Sequence, residues 1–200
     1  MRSLTMDDLL PLEEYASRRR EFHNTLQRYL DRYRRVRIGP RATLVFENRQ
    51  TLWYRIHEVL RIARLAEPRL VQRELDLYNR LLPDKDCLEA ALLLKVSDDG
   101  AWAEDMACWQ ALSGEDLALH LGKVSIPATL ITSRPEDLCI GTTHWVEFPI
   151  DASGRRALGD FRKSAHFEIA LQGYEHSSPP LSDDLRQSLL DDLLLSDRDG

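Results

Sequence analysis

Residues 42–66 read ATLVFENRQTLWYRIHEVLRIARLA, and this stretch changes from the pattern of a strand to the pattern of a helix. Thr43, Val45 and Phe46 at its start are β-branched or aromatic residues, which favour a strand. Asn48 can then cap a helix over residues 50–66, because its side-chain oxygen accepts hydrogen bonds from the first amides of the helix. The helix would bury an apolar stripe of Trp53, Ile56, Val59, Leu60 and Ala63.

The residues on either side predict two further helices and a hairpin. Apolar residues at helical spacing and an early proline predict a helix over residues 11–34. Gly39-Pro40 separates an extended stretch, residues 36–38, from the strand at residues 42–46. A third helix begins at Pro68 and ends near residue 80. The first half is therefore predicted to run helix, hairpin, helix, helix.

The second half is predicted to consist mainly of strands. Apolar runs and alternating patterns predict strands over Leu88–Val96, Leu117–Leu121, Ala128–Thr132, Thr143–Ile150 and Ala165–Leu171. Short helices are expected at Trp102–Leu112 and after Asp151, and a last helix at Ser182–Leu194. Because helices come early and strands late, the predicted fold class is α+β. N-terminal helices with a short hairpin are followed by a mainly antiparallel sheet and a C-terminal helix.

The sequence predicts one domain with an attached tail. Residues 1–176 form the predicted α+β domain, and Ser177-Ser178-Pro179-Pro180 has the composition of a linker. Residues 177–200 are thus expected to be a linker, an acidic helix and a frayed tail.

The composition limits the class of protein. With 43% hydrophobic and 30% charged residues, the chain can bury a core, and none of its apolar runs approaches the roughly 20 residues of a membrane span. The start of the chain lacks a secretory pattern, so we expect a cytoplasmic protein. Cys87, Cys108 and Cys139 are too widely spaced for a zinc or iron–sulfur site within the chain.

Charge is distributed unevenly between the two halves. Residues 1–83 carry 17 basic against 11 acidic residues, whereas residues 84–200 carry 10 against 22. The basic half is rich in arginine at residues 18–20 and 32–41, and guanidinium groups match phosphate and carboxylate oxygens. This cluster can bind nucleic acid, dock an acidic protein, or pair with the acidic half of the same chain. Nucleic-acid binding is the less favoured of these, because the chain is acidic overall and contains no nucleic-acid motif.

One group of polar residues is a candidate site. Tyr54, His57, Glu58 and Arg61 share one face of the predicted helix, and the amides at its start can attract an anion near Glu47 and Asn48. Such a face can polarise a small substrate or hold a metal through His57 and a carboxylate, and it can equally be a set of helix-surface pairs. The full candidate pocket is Glu47, Asn48, Arg49, Tyr54, His57, Glu58 and Arg61, with His144 from a later strand. The chain contains no P-loop, dinucleotide-binding, serine-hydrolase or zinc-protease motif, so its reaction and its cofactor, if any, stay unknown.

The same region resembles a known family. Phe46-Glu47-Asn48-Arg49, Thr51 and the run from Arg55 to Arg61 are similar to the ENR-x-T…EMLR motif of an uncharacterised bacterial family, a domain of unknown function. Thr143–Phe148 and Leu185–Leu194 resemble its late strand and terminal helix. The chain departs from the motif at His57, Val59 and Ala63, where glutamine, methionine and glutamate are usual. Loss of the glutamate at Ala63 weakens any proposal for a dinuclear metal site.

The resemblance implies no established activity, but it implies a genomic context. Members are often encoded beside rubrerythrin-like proteins and iron–sulfur redox proteins, which suggests an accessory role in a redox or oxidative-stress system. We therefore expect a cytoplasmic protein that docks such a partner through its basic half. The alternatives are a small-molecule or metal-dependent enzyme with its site on the helix face at residues 49–61, and nucleic-acid binding by the arginine cluster.

Overall fold

Six helices and nine strands appear in the computed structural model, which describes residues 1–84, 86–96, 102–131, 143–171 and 173–196. The helices are α1 (Leu12–Tyr33), α2 (Arg49–Ala63), α3 (Pro68–Asn79), α4 (Trp102–Gln110), α5 (Ala152–Gly159) and α6 (Asp183–Ser196). The strands are β1 (Arg35–Ile38), β2 (Ala42–Phe46), β3 (Cys87–Leu94), β4 (Leu117–Leu121), β5 (Val124–Pro127), β6 (Thr129–Leu130), β7 (Thr143–Pro149), β8 (Ala165–Leu171) and β9 (Tyr174–Ser177). Cys139, the end of the predicted strand Ala128–Thr132 and the tail beyond residue 196 lie outside the described residues.

The α+β class is confirmed, with early helices and a hairpin, later antiparallel strands and a C-terminal helix. The strands form two antiparallel sheets rather than one, in the orders β1-β2-β3-β7-β6 and β5-β4-β8-β9. The sequence analysis did not predict β5 and β9, which have four residues each. The chain therefore builds a second sheet from hairpin partners of β4 and β8.

The two sheets bury a common aromatic core between them. The ring of Phe167 on β8 lies 5.4 Å from that of Phe46 on β2 and 5.2 Å from that of Phe148 on β7. The opposite side of the first sheet is covered by α1 and α2, as Val45 packs with Leu26 and Leu30 of α1. Successive residues of a strand point to opposite faces, so each residue of β3 and β7 faces either the second sheet or the helices.

The second sheet holds the tight turn of the β1–β2 hairpin in place. The Tyr174 hydroxyl donates a hydrogen bond to the carbonyl of Ile38 and accepts one from the backbone N–H of Arg41 at 3.0 Å. Gly39 in the turn has φ +64°, and a Cβ there would lie 2.5 Å from the ring of His176. Glycine is required at this position because other residues disfavour this backbone region and no room exists for a side chain.

Helix α6 packs against the main core. Leu185, Leu189 and Leu193 belong to the core that the two sheets share. The guanidinium of Arg186 donates hydrogen bonds to backbone carbonyls at the end of α5, including that of Leu158 at 2.6 Å. An arginine at this place satisfies carbonyls that have no partner within the helix. The predicted division of the chain at residue 177 stays a prediction.

The acidic helix and the arginine-rich segment are directly paired. Arg34, at the end of α1, forms a buried ion pair with Asp192 of α6, and Arg32 pairs with Asp184 at 2.9 Å. Arg41 pairs with Asp105 of α4. Part of the basic charge of the first half is therefore neutralised by the acidic half of the same chain.

No helix in the described part of the chain is both long enough and apolar enough to cross a membrane.

Candidate functional site

The start of α2 is capped by its own residues. The Asn48 side-chain oxygen accepts hydrogen bonds from the backbone N–H groups of Gln50 and Thr51, both at 3.0 Å. The backbone N–H of Arg49 is directed at the sulfur of Met1 at 3.3 Å. The expectation that these amides would attract an anion is therefore wrong, because protein atoms already accept from them. The N-cap role of Asn48 is confirmed.

Glu47 is a buried carboxylate with partners from α2. Its side chain is fully buried, accepts a hydrogen bond from the hydroxyl of Thr51 and forms an ion pair with Arg55. The guanidinium of Arg55 in turn lies 5.0 Å from the ring centre of Trp145 on β7. These contacts attach the start of α2 to the outer face of the first sheet.

Glu58 connects α1 to α2. It accepts hydrogen bonds from the Tyr15 hydroxyl at 2.9 Å, from Arg19 at 2.7 Å and from Arg61 at 3.1 Å. Burial by itself would raise the pKa of Glu58, but the hydrogen bonds from Arg19, Arg61 and Tyr15 outweigh it and lower the pKa to about 2. Glu58 is therefore an ionised carboxylate whose donors come from both helices.

His57 is fully buried, and both of its ring nitrogens are engaged. Nε2 accepts a hydrogen bond from the backbone N–H of Leu10 at 3.0 Å. Nδ1 lies 2.7 Å from the carbonyl oxygen of Trp53, and since a carbonyl only accepts, Nδ1 carries the proton. Burial lowers the pKa of His57. A neutral imidazole with both nitrogens in use has no lone pair available for a metal or a substrate.

Tyr54 and Arg49 also have partners inside the protein. The Tyr54 hydroxyl lies 3.0 Å from Nδ1 of His23 on α1. Arg49 forms an ion pair with Asp8 at 2.6 Å. The polar residues predicted for the α2 face thus come together, and they bind α1 and the N-terminal segment.

His144 lies on the other side of the sheet. It is the cross-strand partner of Leu92, which belongs to the core between the two sheets. Its neighbour Trp145 faces α2 through Arg55, and successive strand residues alternate between faces. Burial lowers the pKa of His144, and its Nε2 atom is buried without a hydrogen-bond partner. His144 therefore does not join the residues of α2.

A carboxylate pair that the sequence analysis missed lies on the helix-covered face of the first sheet. Glu89 on β3 and Glu147 on β7 are direct cross-strand partners. Glu89 is only 6% exposed, and one of its carboxylate oxygens is buried without a hydrogen-bond partner. Burial first, and the charge of Glu147 second, raise the pKa of Glu89 to about 8. The sequence signal was a lone glutamate within the apolar strand CLEAALLL.

This pair lines an open pocket of about 530 Å³ at the end of α3. The other charged residues of its lining are Arg80, Asp84 and Asp86, of which Asp86 forms an ion pair with Arg155 of α5. The thiol of Cys87 is also in the lining, and burial first and Glu147 second raise its pKa to about 12. The described residues contain no group of three histidine, cysteine or carboxylate side chains placed to hold a metal.

A second concavity, of about 350 Å³, is apolar. The 3-10 turn at Met6–Asp8 and the ends of α2 and α3 form it, and its lining is Met6, Leu9, Leu10, Pro11, Leu12, Leu60, Leu65, Ala66 and Val71. We call this concavity the apolar groove. Arg64 directly precedes the lining residue Leu65. Arg69 and Arg73 are each two residues from Val71 on α3, so they lie on the exposed side of the helix, away from the groove. None of these three arginines has an ion-pair partner within the described ranges.

Comparisons with known proteins identify relatives of unknown function. The model of the family described as "Protein of unknown function (DUF3501)" matches residues 3–193. A crystal structure of a protein of unknown function from Burkholderia pseudomallei K96243 matches with a TM-score of 0.84 and 25% identity, over 96% of this chain and 100% of that one. No curated protein matches the chain.

Proposed function

Because the chain belongs to the family described as "Protein of unknown function (DUF3501)", whose description gives no activity, we propose a function from the surface of the molecule. The protein is an accessory protein of a cytoplasmic redox or oxidative-stress system, and it binds an acidic partner protein through the apolar groove and the adjacent Arg64. The observation that carries the proposal is an apolar concavity next to an exposed arginine that has no ion-pair partner in the described residues.

The groove has the composition of a protein-binding surface. Met6, on its edge, is 39% exposed, and Leu70 on α3 is 40% exposed. Grooves that accept an amphipathic helix or strand offer apolar contacts for one face of the ligand and charged contacts at the edge. Arg64 supplies positive charge at this edge, which favours a partner segment with apolar residues and a flanking carboxylate.

Internal ion pairs reduce the charge that α1 and the β1–β2 hairpin have free for a partner, while Arg20, Arg28 and Arg37 there are exposed and have no ion-pair partner in the described part of the chain. Arg32, Arg34 and Arg41 are paired with carboxylates of the acidic half, and Arg19 is bound to Glu58. Less charge therefore remains on the α1 segment for nucleic acid than the sequence alone indicates. The polar residues of the α2 face bond to the neighbouring helix α1, so these contacts do not add support to the alternative of an enzyme with its site at residues 49–61.

The family resemblance implies a rubrerythrin-like or iron–sulfur protein as the partner, and we adopt this class of partner here. The test is calorimetric titration with the purified rubrerythrin-like and iron–sulfur proteins encoded in the same genome. We expect saturable binding at about 20 mM salt that weakens at about 300 mM, because screening reduces charge–charge attraction. Failure of both proteins to bind at low salt contradicts the proposal.

Charge reversal locates the surface. The variant Arg64→Glu should weaken binding by about tenfold, because it places like charges against the partner. Arg162→Glu is the matched control, since its side chain is 91% exposed and pairs only with Asp160 within the described part of the chain. Met6→Asp should weaken binding through the groove itself, whereas Leu194→Asp, at another exposed apolar side chain, should not. If the variants and the controls lose the same amount of affinity, the partner binds to a different surface.

A further inference from the structure

We infer that the pocket lined by Glu89 and Glu147 is a binding site for a small organic cation that carries an ammonium group. Nothing in the partner-binding proposal requires this site, which lies at the opposite end of α3 from the apolar groove. The inference depends on the arrangement of Glu89 and Glu147, on the unpartnered oxygen of Glu89 and on the charge of the lining.

The arrangement of the pair is fixed by the sheet. The register of β3 against β7 sets Glu89 directly opposite Glu147. The backbone carbonyl of Glu89 also accepts from the N–H of Glu47 at 2.9 Å, so β2 holds β3 from the other side. Opposite residues in an antiparallel pair have Cβ atoms about 5 Å apart, and like charges there destabilise the sheet. A proton on one carboxylate, or a cation between the two, removes this cost.

The buried oxygen of Glu89 supplies the second observation. The side chain is almost entirely removed from solvent, lines the pocket and leaves one oxygen without a donor. Buried carboxylate oxygens normally have hydrogen-bond partners, and an exception requires an explanation. An ammonium group has three donors in a compact arrangement and can donate to Glu89 and Glu147 at once.

The lining favours an organic cation over a metal or an anion. The lining carries four carboxylates, those of Glu89, Glu147, Asp84 and Asp86, against the guanidinium of Arg80 and the amino group of Met1, and Asp86 is engaged by Arg155. Anions are therefore disfavoured. The described residues lack three metal-ligating side chains in a suitable arrangement. The apolar parts of Leu82, Pro83 and Pro149 can contact a short carbon chain.

The first test is titration of the full chain with 1,4-diaminobutane, with 1,4-butanediol as the neutral compound of similar shape. The diamine should bind saturably at pH 8.5 and the diol should not. Binding of Mg²⁺ or Mn²⁺ without binding of the diamine would overturn the inference, and so would the absence of any saturable binding.

The second test uses the proton on Glu89. A pKa of about 8 means that Glu89 is mostly protonated at pH 6.5 and mostly ionised at pH 8.5. A cation that needs the ionised form should therefore bind about 20-fold more tightly at pH 8.5 than at pH 6.5. Other charged or titratable groups near Glu89 are Glu47, directly after β2, with its partner Arg55, and, in the pocket lining, the amino terminus at Met1, Arg80, Asp84, Asp86, Cys87 and Glu147.

Substitution of Glu89 tests whether the pH dependence of binding comes from Glu89 or from those neighbours. Glu89→Gln keeps the shape of the protonated acid, so it should fold, bind the diamine about tenfold or more weakly at pH 8.5 and lose the pH dependence. Glu168→Gln on β8, a mid-strand glutamate of the other sheet, is the matched control and should behave as the wild type. A Glu89→Gln protein that binds with the wild-type affinity and pH dependence would overturn the inference. Thermal unfolding of each variant verifies that it is folded.

Discussion

At the scale of single residues, hydrogen bonding separates structural from reactive side chains. His57 and Glu89 are both buried and both titratable, yet the ring nitrogens of His57 are satisfied, while an oxygen of Glu89 is not. Satisfied buried groups stabilise and position the fold, whereas an unsatisfied one costs free energy unless a ligand or a proton compensates. His57 therefore belongs to the scaffold that connects α2 to the N-terminal segment.

This role predicts the effect of replacing His57. The variant His57→Leu should lose about 2 kcal/mol of unfolding free energy, because the buried N–H of Leu10 loses its acceptor. His57→Gln should lose less, since an amide can accept from Leu10 and donate to the Trp53 carbonyl. Urea unfolding at pH 7.5 measures both. Equal stability of the leucine variant and the wild type would contradict this role.

The pH dependence of stability provides a separate measurement on the same residue. The pKa of His57 is lower in the folded than in the unfolded chain, so the folded state binds fewer protons. Its contribution to stability is present above pH 6.5, the usual pKa of a histidine, and is lost as the pH falls below it. The leucine variant should lack this contribution, and its stability should depend less on pH between 6.5 and 5.

At the scale of elements, the sequence predicts segments with strong local signals and misses short strands. Asn48 was predicted as an N-cap and a helix was predicted directly after Asp151, and both side chains accept backbone hydrogen bonds at the helix start. Strands β5 and β9 have four residues each and no clear alternation, so they escaped prediction, whereas β1, of equal length, is marked by the Gly39-Pro40 turn that follows it. The site was harder still, because the approach of Glu89 to Glu147 depends on strand register rather than on local pattern.

The pairing of α1 with α2 predicts acid sensitivity. Glu58→Gln should reduce the unfolding free energy by about 2 kcal/mol at pH 7, after allowance for solvent screening, because Arg19 and Arg61 lose their shared carboxylate. The lowered pKa means that this contribution is present above pH 4.5 and is lost as the pH falls towards 2. The difference between variant and wild type should therefore vanish in strong acid.

Glu21→Gln provides the matched control for Glu58. Glu21 pairs with Arg18 on the same helix, but both side chains are about half exposed or more. Exposed pairs contribute about 0.5 kcal/mol, so this variant should unfold almost as the wild type does. A loss as large as that of Glu58→Gln would mean that general charge balance, rather than the α1–α2 connection, explains the effect.

At the scale of the whole molecule, ion pairs inside the fold partly neutralise the uneven charge of the two halves. The sequence shows a basic first half and an acidic second half, and it leaves open whether they meet. In the structure α6 lies beside α1, and Arg34 and Asp192 are both almost completely buried. Contacts between residues 158 positions apart carry no local signal, so sequence patterns do not predict them.

The Arg34–Asp192 pair should therefore contribute to the attachment of α6 to the rest of the fold. Arg34→Met or Asp192→Leu alone should lower the unfolding free energy by about 3–5 kcal/mol, because each leaves an uncompensated buried charge. The double variant should lose much less than the sum, since it removes both charges and keeps apolar volume. Asp184→Asn, in the exposed pair with Arg32 between the same helices, is the control and should change stability by about 0.5 kcal/mol or less. Additive losses in the double variant would show that the two side chains act independently, and α6 would then be held by Leu185, Leu189 and Leu193 without help from charge.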